Sequence, residues 1–531
     1  MELYMSKLRP LVLLGSIIAA QSVVAEVDLN SMSDANPAHL SSIPLLQSLK
    51  INNQQLQFNA PYVHELKNRY KVRSLFVESK DLPMVDIQLT FNAGAARDED
   101  VAPGLYGIAN MAAKLIDEGT EQYTANDIAS AFERVGAKFS AQAYRDMFVV
   151  KLRVLSDPEK LEPALAIMME ILNHSTFKKS SINLVLSNTQ VGQRQIKESP
   201  SRMMSVQFYR ALYGKHPYAE PISGTQRSIS KTTPVQLKQF SDQFLVAQNL
   251  NIAITGQLSA KEALQLSERI AGNLKQGEKA KPLAQPLDKS AFDIRHIAFN
   301  SSQAHVMMGH LGTTRFDPDR LALEVANQML GGSGFNSVLM KELRVKRGYT
   351  YGAYSSFSFS QVPGTFSFSY STRQDQLLDS IQVAHHALVN FVQQPIDQKQ
   401  LKETKAGMLR AFPNNYSSNA NINAQLGSIG FYNQTADYLN EYPKLLEKIT
   451  AQDIQNAIRK HLHPERLTII VVNDKLDKQA LKTALNQNLL PDAPKLPAPS
   501  IEQIPKTIIT PPAKEVIDVP VSFPTDAPAS I

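Results

Sequence analysis

The sequence predicts an α+β protein built from two homologous domains, each a mostly antiparallel sheet packed with helices. Three observations carry this reading. Short alternating runs and longer runs of helical period are mixed along the chain, the order expected of α+β layers. A capped helix feeding an apolar strand occurs twice: Thr233-Pro-Val-Gln-Leu-Lys-Gln-Phe leads to Leu250-Asn-Ile-Ala-Ile-Thr, and Thr450-Ala-Gln-Asp-Ile-Gln-Asn-Ala leads to Leu467-Thr-Ile-Ile-Val-Val. A repeat distance of about 215 residues is that of a duplicated domain, since solenoid units recur every ~20–50 residues. Finally, 531 residues exceed what one ordinary core holds together.

In the first domain, residues 57–274, Val72 to Phe91 reads as two strands, the second alternating from Val85 to Phe91. Asn92 to Asp100 is a turn-rich loop, and Pro103-Gly104 is expected to open a helix. Beyond Gly107, the residues Ile108, Met111, Ala112 and Leu115 fall at i, i+3, i+4 and i+7, which makes one helical face apolar. Ala125 to Val135 is a helix stopped by Gly136, Lys138 to Leu155 a strand pair, and Pro158 to Leu172 an amphipathic helix. Ser180 to Tyr213 is long, polar and helical in pattern. An ordered loop from His216 to Thr225 follows, then a helix to Phe244 and a buried strand from Leu250 to Thr255. Residues 275–292, rich in Lys, Pro and Gln, read as a linker.

The second domain, residues 293–488, repeats the plan. Ala304 to Gly309 is a strand, Pro318 to Leu330 a helix, and Gly364 to Ser371 an aromatic strand. Leu377 to Gln393 and Asp397 to Arg410 are long helices. Residues 489–531 form a proline-rich tail without periodicity.

Composition narrows the function classes. A hydrophobic fraction of 43% and a charged fraction of 20% describe a soluble globular protein. The net charge of +6 is mild, and no Lys/Arg block or aromatic-basic ladder points to nucleic acid. The absence of cysteine excludes disulfides, thiolate zinc sites and a cysteine nucleophile. No Gly-x-Ser-x-Gly elbow stands between a strand and a helix. At the N-terminus, Lys7 and Arg9 precede an apolar run from Leu11 to Ala20 and then Val23-Val24-Ala25, the order of a secretory signal. The run is about half the ~20 residues a spanning helix needs. Residues 1–25 are therefore expected to be a cleaved signal peptide, 26–56 a loose leader, the location the periplasm, and no membrane span to remain.

One stretch concentrates candidate chemistry. Leu330 to Tyr354 holds a glycine-rich turn (Gly331, Gly332, Gly334), a short helix with Val338, Leu339 and Leu343 on its apolar side, a stop at Gly348, and an aromatic strand. Arg344 and Tyr351 stand on either side of the helix-to-strand corner. A guanidinium and a phenol on one corner suit a peptide carbonyl or a developing oxyanion. Taken alone, such a pair is more often a solvated arginine and a packed strand tyrosine.

The duplicated plan resembles the insulinase/pitrilysin-type (M16) zinc peptidases, above all the bacterial short-chain members and the mitochondrial processing peptidase, over residues 60–485. The matching pieces are Gly107-Ile-Ala-Asn-Met-Ala-Ala-Lys-Leu-Ile-Asp-Glu-Gly-Thr, the His216-Pro-Tyr…Gly224-Thr loop, and Leu343-Arg-Val-Lys-Arg-Gly-Tyr-Thr-Tyr. The last is similar to the family's arginine/tyrosine element, with Arg344 and Tyr351 seven residues apart. Active members carry His-x-x-Glu-His on the first helix, two zinc ligands and a base on one face. The corresponding positions here are Asn110, Ala113 and Lys114, and none can perform that task. The stretch matching the third ligand, Gln190-Val-Gly-Gln-Arg-Gln, holds no carboxylate. Other histidines (His305, His310, His385, His386, His461, His463) are expected to lack the convergent set of three or four ligands that zinc requires, His461 and His463 standing near a helix end without an obvious acid nearby.

The resemblance implies a metallohydrolase-like fold in both domains and a zinc-less subunit that binds no metal itself. Its partner would be a zinc-bearing M16 homologue in a heterodimer, and its substrate a peptide. Arg344 and Tyr351 would supply the catalytic contribution, while Gly331, Gly332 and Gly334 would line the substrate passage. The alternative is an inert peptide-binding or structural protein with the same fold.

Overall fold

Two sheets with the same internal order organise the chain. The computed structural model describes residues 60–288, 292–332, 334–488 and 490–491. The expected signal peptide, leader and nearly all of the proline-rich tail lie outside these residues. The first sheet comprises β1 (His64–Leu66), β2 (Arg73–Glu78), β3 (Met84–Phe91), β4 (Lys138–Ala143), β5 (Phe148–Leu155) and β6 (Leu250–Gly256), in the order β1-β2-β6-β3-β5-β4. The second comprises β7 (Asp293–Ala298), β8 (Gln303–Leu311), β9 (Ala353–Phe357), β10 (Thr365–Arg373) and β11 (Thr468–Asn473), in the order β7-β11-β8-β10-β9. Leaving out β1, the orders correspond strand for strand. In each sheet the last strand in sequence pairs parallel with the first, β6 with β2 and β11 with β7, and the other pairs are antiparallel. The α+β duplication expected from the sequence is thus present.

Helices of the first half are α1 (Ile108–Leu115), α2 (Ala125–Arg134), α3 (Pro158–His174), α4 (Lys179–Glu198), α5 (Pro200–Tyr213), α6 (Pro234–Phe244) and α7 (Ala260–Asn273). Those of the second are α8 (Arg320–Gly331), α9 (Leu377–Gln393), α10 (Gln398–Ala411), α11 (Asn419–Phe431), α12 (Tyr438–Lys448), α13 (Ala451–His461) and α14 (Lys478–Gln487). The repeated threonines act alike: Thr233 and Thr450 each close a capping box at the start of α6 and α13. The single long helix expected over 180–213 is two. Ser199 is extended and Pro200, which has no N–H to donate, opens α5. The first apolar helix starts at Ile108 rather than at Pro103-Gly104, because Gly107 takes a left-handed conformation before it.

Each half covers one face of its sheet with its own helices. The other face is covered by a helix from the opposite half. Helix α11 packs on the first sheet: Ile422, Leu426 and Ile429 share a core with Leu75, Val77 and Ala253. Gly427 makes this approach possible, since a Cβ there would lie 1.9 Å from Gln88 Nε2. Arg73 fastens the end of α11, its Nη1 donating to the Ile429 carbonyl at 3.3 Å and its Nη2 to the Gln434 carbonyl at 2.5 Å. Helix α5 packs on the second sheet in return, and Met204, Phe208 and Leu212 share a core with Ile470 and Val472. Here the space is opened on the strand. A Cβ at Gly309 would meet the Phe366 carbonyl at 2.1 Å and the Phe208 ring at 2.8 Å.

A buried carboxylate joins the halves. Asp146, in the turn between β4 and β5, accepts hydrogen bonds from the Tyr218 hydroxyl and, at 3.0 Å, from the Gln361 backbone N–H. Gln361 Nε2 donates to Asn92 Oδ1 at 3.0 Å, and the Tyr213 hydroxyl to the Pro363 carbonyl at 2.9 Å. Burial pushes the Asp146 pKa up, against the pull of Tyr218, Gln361 and the nearby arginines.

Because each half completes the other's core, the duplicated chain should unfold in one cooperative transition. Phe208→Ala should cost about 3–5 kcal/mol, as other large buried truncations do. Calorimetry checks both. Two separate transitions in the unmutated protein, one per half, would contradict the exchange as the source of stability.

Candidate functional site

The helix that would carry the metal is rigidly framed. Asp98, only 1% exposed, lies in the helical turn Asp98–Val101 and reaches over to the start of α1. Its carboxylate accepts from the Gly107 N–H at 2.6 Å and the Ala109 N–H at 2.8 Å, satisfying donors that the helix itself leaves open. Burial pushes its pKa up to about 7, while those backbone bonds pull the other way. The His216–Thr225 loop holds the same end. Gly224 sits against Tyr106, where a Cβ would lie 2.1 Å from the carbonyl. Ser228 Oγ donates to that carbonyl at 2.6 Å. His216 is structural: its Nδ1 accepts from the Tyr218 N–H at 3.1 Å and its Nε2 meets the Ala284 carbonyl at 2.9 Å.

On this framed helix Ala113 is buried, and Asn110 keeps a buried Nδ2 without a hydrogen-bond partner. Lys114 Nζ donates across to Thr189 Oγ1 of α4 at 3.4 Å. Part of the Lys114 side chain is exposed, yet burial lowers the pKa of its ammonium. The stretch matching the third ligand in sequence is Gln190–Gln195. The residue that faces Lys114 is Thr189, one position earlier, while Gln190 Nε2 turns to Ser230 Oγ at 3.4 Å. A threonine in a polar helix carries no signal that would have singled it out. Zinc needs lone pairs on neutral imidazole, thiolate or carboxylate. An ammonium, a methyl group, a donating amide and a hydroxyl do not fit it.

The arginine/tyrosine element has a different local logic. The helix after the glycine turn widens to a π-helical turn over Met340–Val345, with Leu339 and Leu343 fully buried. Such turns recur at functional sites. Gly348, in a left-handed conformation, ends it: its N–H donates to the Arg344 carbonyl at 2.9 Å, and the Tyr349 N–H to the Leu343 carbonyl at 2.8 Å. Arg344 Nη1 donates to the backbone carbonyl of Tyr351 at 2.6 Å, so the guanidinium closes the corner on itself. Its other neighbour is Phe335, whose ring centre lies 4.5 Å from the guanidinium carbon. No local pattern singles out Phe335, although it is the aromatic of the glycine-rich turn.

Tyr351 itself is 86% exposed and projects from this fixed corner. Of the glycines, Gly331 is required by close approach, since a Cβ would lie 2.5 Å from the Ser355 N–H nitrogen of β9. Gly332 packs back on Gln328 of its own helix. Gly334 has a positive φ of 114° and open space around it. Among the described residues, no hydrogen bond or ion pair joins Arg344 or Tyr351 to Asn110, Ala113 or Lys114. The two groups remain separate half-sites, one in each half.

The expectation of no nearby acid fails at both His461 and His463, and His463 Nδ1 lies 3.3 Å from Glu465 Oε1. His461 does have acids beside it, Asp319 Oδ2 at 3.0 Å and Asp317 Oδ2 at 3.5 Å, both brought from the loop before α8. Lys460 Nζ also reaches Asp319 at 2.7 Å, and the Thr313 hydroxyl donates to Asp317 at 2.5 Å. The carboxylates are already satisfied, and the cluster ties the start of α8 to the end of α13.

Fold and half-sites together define a duplicated chain on a metallopeptidase plan whose metal positions carry other chemistry. The insulinase (peptidase family M16) model matches residues 75–226, and the peptidase M16 inactive-domain model matches residues 231–408. A peptidase M16 inactive domain from Pseudomonas fluorescens is similar in structure, with 33% identity and a TM-score of 0.74, covering 78% of this chain and 98% of that one. An uncharacterized zinc protease of Rickettsia bellii is 28% identical over 325 residues, 59% of this chain and 74% of the relative. The non-peptidase homolog YmxG of Helicobacter pylori is 23% identical over 416 residues, 78% of this chain and 94% of the relative. The chain belongs to peptidase family M16.

The Asp98 cap has a pH signature. In the unfolded chain its proton leaves near the ordinary aspartate value of 3.8, and in the folded one at about 7. Over that window the folded state binds more protons, so its stability contribution is full below 3.8 and is lost as pH rises through about 7. Denaturant unfolding at pH 5 and pH 8 should show a loss of stability that Asp98→Asn lacks. An equal change in both proteins would contradict this.

Proposed function

We propose that the chain is a non-catalytic subunit of a periplasmic M16 peptidase assembly. It supplies Tyr351, held by Arg344, to a peptide bound against a zinc-bearing M16 partner. The observation that carries this reading is the contrast between the two half-sites. The metal positions have lost every ligand, while the phenol at Tyr351 is exposed on a corner fixed by Arg344, Phe335 and Gly348. A solvated surface tyrosine would not need such a mounting.

In this role the Tyr351 hydroxyl donates a hydrogen bond to the carbonyl oxygen of the scissile peptide as negative charge develops on it. Arg344 acts as a positioning residue: its Nη1 is spent on the Tyr351 carbonyl, and its stacking on Phe335 restricts the guanidinium. Gly331 keeps the neighbouring turn close to β9, and the open space around Gly334 leaves room for an extended substrate backbone. The metal would come from the partner, and the N-terminal signal would direct the chain to the periplasm.

The second reading is an inert peptide-binding or structural M16 protein. The non-peptidase name of the Helicobacter pylori relative favours it.

Peptide hydrolysis separates the two. The chain alone should show no chelator-sensitive cleavage. With a co-expressed M16 chain carrying His-x-x-Glu-His, cleavage should appear, and Tyr351→Phe should lower kcat about 10²–10³-fold, the cost of one oxyanion donor elsewhere. Robust metal-dependent activity from this chain alone would overturn the subunit reading. An unchanged rate with Tyr351→Phe would favour the inert one.

A further inference from the structure

The turn that carries Arg344 also forms one wall of a cavity of about 420 Å³, a volume within the ~300–1,000 Å³ span of small-molecule sites. Helix α9 and the start of α10 supply the other walls. Met329, Val383, Phe391 and Ile396 make much of the lining apolar. Two polar side chains interrupt it. Arg347, only 5% exposed, lines the cavity with a buried Nε that has no hydrogen-bond partner. His386 of α9 lines the same cavity, and its buried Nδ1 is likewise unpartnered. A buried polar nitrogen left unpaired costs its lost hydration. Charge is also unbalanced at this wall. Glu342 is one carboxylate shared by two cations, its Oε1 lying 2.6 Å from Lys346 Nζ and its Oε2 2.7 Å from Arg347 Nη1. The other acid of the lining, Asp397, is engaged elsewhere: its Oδ1 accepts from the Lys399 and Gln400 N–H groups at the start of α10.

We infer that this cavity binds a medium-chain monocarboxylate, an acid with an apolar body and one charged end. The body lies against Met329, Val383 and Phe391, and the carboxylate meets Arg347 and His386. A neutral polar group would satisfy one orphaned nitrogen and leave the surplus positive charge. A carboxylate brings two accepting oxygens and the missing negative charge: one oxygen takes the Arg347 Nε–H, and the other takes the proton of His386 in the tautomer that carries it on Nδ1. The guanidinium is set before a ligand arrives, because Arg347 Nη1 already donates to the Glu342 carbonyl at 3.1 Å and to its carboxylate at 2.7 Å. Such preorganisation lowers the cost of binding. The site uses neither Arg344 nor Tyr351, and it is tested on this chain without any partner, so it stands or falls separately from the subunit reading.

The test is isothermal titration of the full chain with octanoate, with 1-octanol, which keeps the apolar body without the charge, and with acetate, which keeps the charge without the body, each below the concentration at which it aggregates. Octanoate should bind at least tenfold more tightly than either, the scale of one charge-assisted hydrogen bond. Arg347→Met should abolish the preference for octanoate over octanol. Should that variant fail to fold for want of the Glu342 contacts, Asn390→Trp serves instead. It fills the cavity from a half-buried position on α9, outside the Glu342 contacts, and should abolish octanoate binding while circular dichroism stays unchanged. The inference is overturned if octanoate does not bind, if octanol or acetate binds as tightly, if the preference survives in folded Arg347→Met, or if folded Asn390→Trp binds octanoate as the unmutated chain does.

Discussion

The reciprocal exchange of α5 and α11 is the constraint on which the rest of the structure depends. A sheet with one bare apolar face cannot stand in water, and here each bare face is closed by a helix of the other half. The exchange fixes small residues at the crossing points, Gly309 on β8 and Gly427 on α11. It also explains why the turn carrying Asp146 and the segment carrying Gln361 and Pro363 meet in a buried polar joint. With the halves locked, the two corners that carry candidate chemistry, at Lys114 and at Tyr351, are mounted on one body rather than on two loosely tethered domains.

That rigidity gives the half-sites different meanings. At α1 the frame has been retained and the ligands replaced. Asp98 and the His216–Thr225 loop still secure the helix, while the side chains facing α4 offer donors in place of lone pairs. At the second corner both frame and functional group are present. The π-helical turn, the Gly348 stop and the Arg344 bond to the Tyr351 carbonyl hold an exposed phenol in a defined direction. A subunit that supplies an oxyanion donor but no metal is the simplest account of this asymmetry, and the open surface around Tyr351 is where a second chain would have to approach.

Much of this was legible in the sequence where one physical rule decides the outcome. Period-two alternation located β3 and β5, the i, i+3, i+4, i+7 pattern located α1, and the threonine caps located α6 and α13. The helices that cross between halves were harder. Helix α11 escaped notice because it is covered on more than one side, and its glycines, serine and asparagines dilute any single apolar stripe. Strand β7 was missed because its faces are only half-buried. At the site, the spacing of Arg344 and Tyr351 was visible, but not the bond between the guanidinium and the Tyr351 carbonyl, nor the stacking on Phe335. Thr189 and the acids around His461 depend on contacts between distant segments, which no local pattern encodes.

The central claim is that this chain contributes a donor and not a metal to an M16 assembly. Counting zinc in the co-purified complex with a His-x-x-Glu-His partner tests it most directly, by elemental analysis against protein concentration. One zinc per pair of chains, with none retained by this chain when isolated, is the predicted result. Two zinc ions per pair, or a stoichiometric zinc on the isolated chain, would contradict the account.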